Sequence, residues 1–158
     1  MRRLIWIIAV PIVVLLAAMQ FHRPDYNLPP SVSDASLDAI HHPDPQIRNM
    51  LDRSCNDCHS VQAKIPWYGH VWPASELLQS DVRRGRAYLD FSNWDHLSPE
   101  MSRIKLLNAC EAMRTGEMPL WYYRPMHPGA APKSAEVNMF CGWARSLPPG
   151  GVRMEEGQ

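Results

Sequence analysis

Cys55-Asn56-Asp57-Cys58-His59 is a C-x-x-C-H pentapeptide in a chain of 158 residues that holds four cysteines and seven histidines. Random placement of those residues would make such a string in roughly 0.3% of shuffles, so the spacing is read as chemistry. Two thiols at this spacing suit addition to the two vinyl groups of haem, and the histidine directly after them reaches the iron as an axial ligand. The pentapeptide predicts one covalent haem c, with thioether bonds at Cys55 and Cys58 and His59 on the metal.

Competing uses of a C-x-x-C pair find no local support. A thioredoxin-like motif needs a preceding strand within a βαβ pattern. Residues 44–54 instead read as helix. A structural zinc site needs four nitrogen or sulfur ligands, usually from a second close pair. Cys110 and Cys141 stand singly and far apart in sequence.

Fifteen prolines and six tryptophans are many for a helical chain and point to ordered loops wrapped around something large and flat. Formal charge is zero overall. Without Arg2 and Arg3 of the leading segment, fourteen basic residues face sixteen acidic ones. Nucleic-acid binding calls for a basic patch, and nothing in this balance supplies one.

Residues 4–19 are uninterrupted apolar sequence, Pro11 included, preceded by Arg2 and Arg3 and followed by Gln20, Phe21, His22 and Arg23. At about 1.5 Å per residue this covers some 24 to 27 Å, slightly under the thickness of a bilayer's hydrocarbon layer. Snorkelling arginines and interfacial Trp6 and Phe21 are expected to make up the difference. A cleaved signal peptide is the competing reading, but Ala17-Ala18-Met19 is a poor cleavage site. Residues 1–21 are therefore expected to form a single transmembrane helix in a bacterial inner membrane, contacting lipid through residues 4–21. The arginines stay cytoplasmic and the bulk is exported to the periplasm.

Residues 22–43, with Pro24, Pro29 and Pro30, read as a linker of little structure, ending in solvated His41 and His42. The haem domain is expected over residues 44–148 and a flexible tail over 149–158. Four helices are predicted in the domain, and no alternating stretch argues for a sheet. The first is capped by Asp44 with Pro45 in its first turn, and it carries Ile47, Met50, Leu51, Cys55 and Cys58 at helical spacing. The second runs from about Ala74 to Leu89. Ser98 and Pro99 open the third, which Gly116 ends. The fourth follows Ser134 and stops at Pro148-Pro149. The fold class is all-α, a small cytochrome c-like domain.

Haem of this kind usually takes a second axial ligand. Met118, in Gly116-Glu117-Met118-Pro119, stands in a loop stiffened by proline and belongs to no helical stripe. Met50, Met101, Met113 and Met139 fall on such stripes and are read as core filling. Met118 is thus the candidate ligand, with His127 as runner-up and an open position as the third possibility. Methionine ligation would raise the potential relative to a bis-histidine site. Trp67 and Tyr68, in the aromatic stretch after the pentapeptide, are candidate pocket-wall residues. In an exported protein the two remaining cysteines, Cys110 and Cys141, are expected to pair. Closing a loop of that length contributes about 3.5 kcal/mol in the chain-entropy account.

Several further strings occur in order across residues 43–147: Pro66-Trp67-Tyr68, Pro73-Ala74-Ser75, Val82-Arg83-Arg84-Gly85-Arg86, Phe91-Ser92-Asn93-Trp94, Gly116-Glu117-Met118-Pro119-Leu120, His127-Pro128 and Gly142-Trp143-Ala144. With Cys55-Asn56-Asp57-Cys58-His59-Ser60 they resemble the haem-binding-domain proteins of bacterial envelopes, relatives of cytochrome c. The resemblance implies a compact single-haem domain with covalent attachment at Cys55 and Cys58 and proximal His59, and it supports Met118 as the distal ligand. Ile65 departs from the tryptophan frequent there, and the Cys110/Cys141 pair resembles only some members.

Three functions are compatible with these residues. An electron carrier would shuttle one electron between redox partner proteins of the cell envelope, with both axial positions filled. A haem enzyme or small-ligand sensor, acting on peroxide or nitric oxide, would need a displaceable sixth ligand. An assembly subunit of an envelope complex would use haem chiefly for stability. The carrier is the reading favoured here.

Overall fold

Helices joined by ordered loops make up the computed structural model, which describes residues 2–28 and 34–148. The tail expected over 149–158, and Pro29 and Pro30 of the linker, lie outside the described residues. Helix α1 spans Arg2–Met19 and contains Pro11. Its described apolar side chains stand exposed nearly all round. Among the described residues no helix is long and apolar enough to cross a membrane. The expected transmembrane helix is therefore not found as such. The reason is length: α1 has 18 residues and opens on two arginines, so its apolar part covers only about 24 Å.

Short helix α2 (Leu37–His41) is capped by Ser36, whose hydroxyl accepts from the amide of Ala39 at 3.2 Å. Helix α3 (Pro45–Ser54) starts as the sequence predicts, with Asp44 accepting from the Gln46 amide at 2.9 Å. The expected continuous helix through Cys58 breaks at Cys55, where φ is −131° and ψ is −41°. One turn, α4 (Asn56–His59), follows on a new axis. After a 3₁₀ turn at Trp67–His70 come α5 (Ala74–Tyr88), α6 (Pro99–Thr115) and α7 (Ser134–Ser146). Gly116 ends α6 with φ of +78°, a conformation that favours glycine. No strand occurs among the described residues. The all-α expectation holds.

Met50, Leu51, Phe91, Trp94, Leu106 and Phe140 pack together from α3, the 90–94 segment, α6 and α7. Each large apolar side chain so buried contributes roughly 1.5–3 kcal/mol. The Cys110–Cys141 disulfide joins α6 to α7 inside this core, with 5.3 Å between the Cα atoms. Trp94 is a core residue that donates from its indole to Ser102 Oγ at 2.7 Å.

Residues 22–28 and 34–43, the described parts of the expected tether, are held against the domain. Tyr26 is buried and donates its hydroxyl to Gly69 O at 2.6 Å. Arg86 donates to the carbonyls of Tyr26 and Asn27, both at 2.9 Å. Leu37 enters the main core. Gln20, one residue past α1, exchanges two hydrogen bonds with the backbone of Trp72, accepting at 3.0 Å and donating at 3.3 Å. His22 lies 3.1 Å from Glu76. These contacts fasten the end of α1 to the start of α5.

His41, expected in solvent, packs edge-on to Trp94 and Trp143 and shares Ser102 Oγ through Nε2 at 2.8 Å. Burial lowers its pKa. A folded-state value below the unfolded one means the unfolded chain binds the proton more readily, so stability falls as pH drops through about 6.5. Thermal unfolding at about pH 7.5 and about pH 5 should show a lower midpoint at acid pH, by a few degrees. In His41→Gln that acid-side loss should shrink, and an unchanged pH slope would assign it to another group.

Candidate haem site

Three elements deliver the pentapeptide. Helix α3 is fixed by its buried face and by Arg53, which donates to Glu136 at 2.6 Å and to Gly129 O at 3.0 Å. The break at Cys55 then swings α4 across α5. They touch where Gly85 meets Cys58: a Cβ added at Gly85 would stand 2.7 Å from the Cys58 carbonyl oxygen. Only a residue without a side chain allows that approach. Gly85→Ala should cost about 1–3 kcal/mol by overpacking. It should also lower the yield of haem-loaded protein; a variant with unchanged melting and loading would show that α4 and α5 can part freely.

His59 ends α4, and its carbonyl accepts from the Phe91 amide at 2.8 Å. Its Nδ1 lies 2.9 Å from Leu89 O, an oxygen that only accepts, so Nδ1 carries the hydrogen. Burial lowers the imidazole pKa, partly offset by the carbonyls of Leu89 and Gly85. The ring is therefore neutral at pH 7, with the lone pair on Nε2. A hydrogen bond from one ring nitrogen to a backbone carbonyl is the usual device that orients a metal-binding histidine. Cys55 and Cys58 are both free thiols. Burial pushes each up to about 12, so both are protonated.

A cleft opens beside these groups. Its apolar lobe, of about 360 Å³, is walled by Leu51, Tyr88, Phe91, Ala112, Met113 and Phe140. The second lobe, of about 330 Å³, is lined by Cys58, Asp57, Asp81, Arg84, Tyr122 and Tyr123. Ser54, Cys55, His59, Tyr88, Met118 and Pro119 line both lobes. Tyr122 donates to Asp81 at 3.0 Å and Tyr123 to Asp57 at 2.8 Å. Burial first, then these carboxylates, push Tyr122 up to about 12 and Tyr123 higher still. Proteins seldom leave a void of this size against a core phenylalanine, so the space and its donor set fit a large, mostly apolar ligand carrying a metal.

Met118 reaches this cleft from a loop held at three points. Its amide donates to Ala112 O at 3.0 Å. Arg124 donates through Nε to Pro119 O at 2.7 Å and through Nη2 to Gly116 O at 2.5 Å, one carbonyl on either side of the methionine. The structure thus brings Cys55, Cys58, His59 and Met118 to one cleft. It does not bring the other candidates there. His127, the runner-up ligand, stacks behind Tyr123 at 3.8 Å between ring centroids and meets the Tyr68 hydroxyl at 3.3 Å. Tyr68 stays with it, while Trp67 is 72% exposed; neither lines the cleft. The walls come from Tyr88, Phe91, Tyr122 and Tyr123 instead. Trp121-Tyr122-Tyr123, directly after the methionine loop, was the sequence signal for two of them. Among the described residues no group of three or more His, Cys, Asp or Glu side chains is placed to hold a bare metal ion.

Comparison with known proteins places residues 14–146 on the haem-binding domain family. The chain belongs to the haem-binding domain family. No curated protein and no solved structure matches it. The matched stretch begins inside α1, so it includes residues 20–28 and 34–42, which pack onto α5 and the core. Its haem-binding character agrees with a cleft whose polar donors are two protonated thiols, an oriented imidazole and a thioether.

Proposed function

We propose that this haem-binding domain protein is a c-type cytochrome attached to the bacterial inner membrane, carrying electrons between redox partner proteins of the envelope in the periplasm. The carrying observation is the convergence of Cys55, Cys58, His59 and Met118 on one cleft. Cys55 and Cys58 would hold one haem c covalently, His59 would bind its iron through Nε2, and Met118 would offer its thioether as second ligand. Bound there, haem supplies a one-electron ferric–ferrous couple. Phe91 and Phe140 would keep water from a haem held there, while Leu89 O orients His59 and Arg124 holds the Met118 loop. Two fixed axial ligands suit electron transfer, since little rearrangement accompanies a change of charge.

Membrane attachment is supported by α1, an apolar helix with exposed residues all round; such a helix needs lipid or protein to cover it. Its shortness is compensated by arginines at its start and by Phe21 just beyond its end, groups that settle in the interfacial layer. A reduced-minus-oxidised spectrum with a pyridine assay tests the cofactor directly, with one haem per chain expected. A colourless protein purified from a host with working cytochrome maturation would end this reading.

Arg124→Gln tests the methionine loop. Gln cannot span both Gly116 O and Pro119 O, so the methionine-to-iron charge-transfer band should weaken and the potential should fall by on the order of tens of millivolts, a small part of the ~0.8 V that axial ligation spans. An unaltered band would show that the proline loop holds Met118 without the guanidinium.

A further inference from the structure

Three observations meet where α1 joins the body. First, the join is rigid: Gln20 is paired with the Trp72 backbone, His22 with Glu76, and Gln79 donates to Asp25 O at 2.6 Å. Tyr26 then enters the small core of Leu78 and Val82. Second, several large apolar side chains stand exposed beside the join, among the polar His22, Arg23 and His70. Phe21 is 84% exposed, Trp67 72% and Leu77 52%, and Val71 next to the clamped Trp72 is exposed too. Third, no described part of the chain covers this surface. Trp67 stands edge-on to Tyr68 at 5.9 Å between centroids, with most of its ring open to the surroundings.

We infer that this face, built from Phe21, Trp67, Val71, Trp72 and Leu77, is a membrane-docking surface that rests in the headgroup layer of the bilayer holding α1. The inference builds on the membrane attachment of α1 proposed above. Lipid is the occupant because the surface continues from the end of the apolar helix. A helix fastened to its domain within three residues cannot enter a bilayer and leave the adjoining face far from it. Tryptophan suits that layer, its ring apolar and its N–H able to meet water or headgroups. The domain is then docked in one orientation and does not swing on a tether.

Three tryptophans of similar exposure in the structure make the test internal: Trp6 at 67%, Trp67 at 72% and Trp121 at 77%. The full haem-loaded chain is placed in vesicles of phosphatidylethanolamine and phosphatidylglycerol, and hydroxyl-radical oxidation of each tryptophan is read by mass spectrometry. Docking predicts that Trp6 and Trp67 are both oxidised at least about fivefold less than Trp121, as expected for rings in or at the bilayer. Trp6 protected with Trp67 as reactive as Trp121 would overturn the docking and leave the attachment standing. Trp6 as reactive as Trp121 would overturn the attachment and the docking with it. Protection of Trp67 that disappears on diluting the protein in lipid would assign the face to a second copy and also overturn the inference.

Discussion

Haem staining of the polypeptide in denaturing electrophoresis should vanish when Cys55 and Cys58 are both replaced by alanine. Coordination by His59 and burial in the cleft are lost when the chain unfolds, whereas thioether bonds survive it, so the gel reads covalent attachment alone. The single variant Cys58→Ala should keep a weaker band through Cys55. In the double variant the apolar lobe between Leu51 and Phe140 remains, and haem held there without bonds should be removable by extraction. Losing a ligand that binds only the native state costs RT ln(1 + [L]/Kd), about 4 kcal/mol at a thousandfold excess over Kd, so the haem-free form should melt well below the loaded one. Full staining of the double variant would refute the role given to the pentapeptide.

The second large effect is expected at Met118, which is 38% exposed and lines both lobes. Met118→Ala removes the one thioether that lines both lobes and leaves Met113 as the remaining methionine in the apolar lobe. Haem should stay on the chain, while the ferric spectrum should lose its methionine band and acquire high-spin character. The potential should drop by on the order of 0.2 V within the ~0.8 V range set by axial ligands. Exogenous imidazole should then bind, which it should do poorly in the parent protein. Unchanged spectrum and potential would dismiss Met118 as the ligand. A parent protein that is already high-spin would favour small-ligand chemistry over electron transfer.

The sequence announces some of these features and hides others, residue by residue. Helix starts were legible where a polar cap precedes proline, as at Asp44-Pro45 and Ser98-Pro99, and the stop at Gly116 followed from its left-handed backbone. The break at Cys55 was not legible: the apolar spacing runs straight through it, and the bend comes from α4 crossing Gly85, a contact 27 positions away in sequence. Residues 22–43 looked like a linker because proline and polar residues dominate them. What ties them down is one buried tyrosine and carbonyls accepting from Arg86, neither of which leaves a periodic trace. Within the site, Cys55, Cys58, His59 and Met118 were readable as candidates because the chemistry asked of them demands particular residue types. The walls were not. Trp67 and Tyr68 looked suitable for being aromatic and near, yet the 3₁₀ turn exposes Trp67 and sets Tyr68 against His127, while Tyr122 and Tyr123 reach the cleft because Asp81 and Asp57 hold their hydroxyls. Arg124 was invisible for a related reason, since its partners are main-chain oxygens that any sequence would provide.

The bridge between α6 and α7 has a bearing on biosynthesis. Four cysteines entering an oxidising compartment permit three sets of two pairings, and only one of them leaves Cys55 and Cys58 to each other. With Cys110 and Cys141 paired in the core, the covalent attachment proposed for Cys55 and Cys58 would meet a single free dithiol.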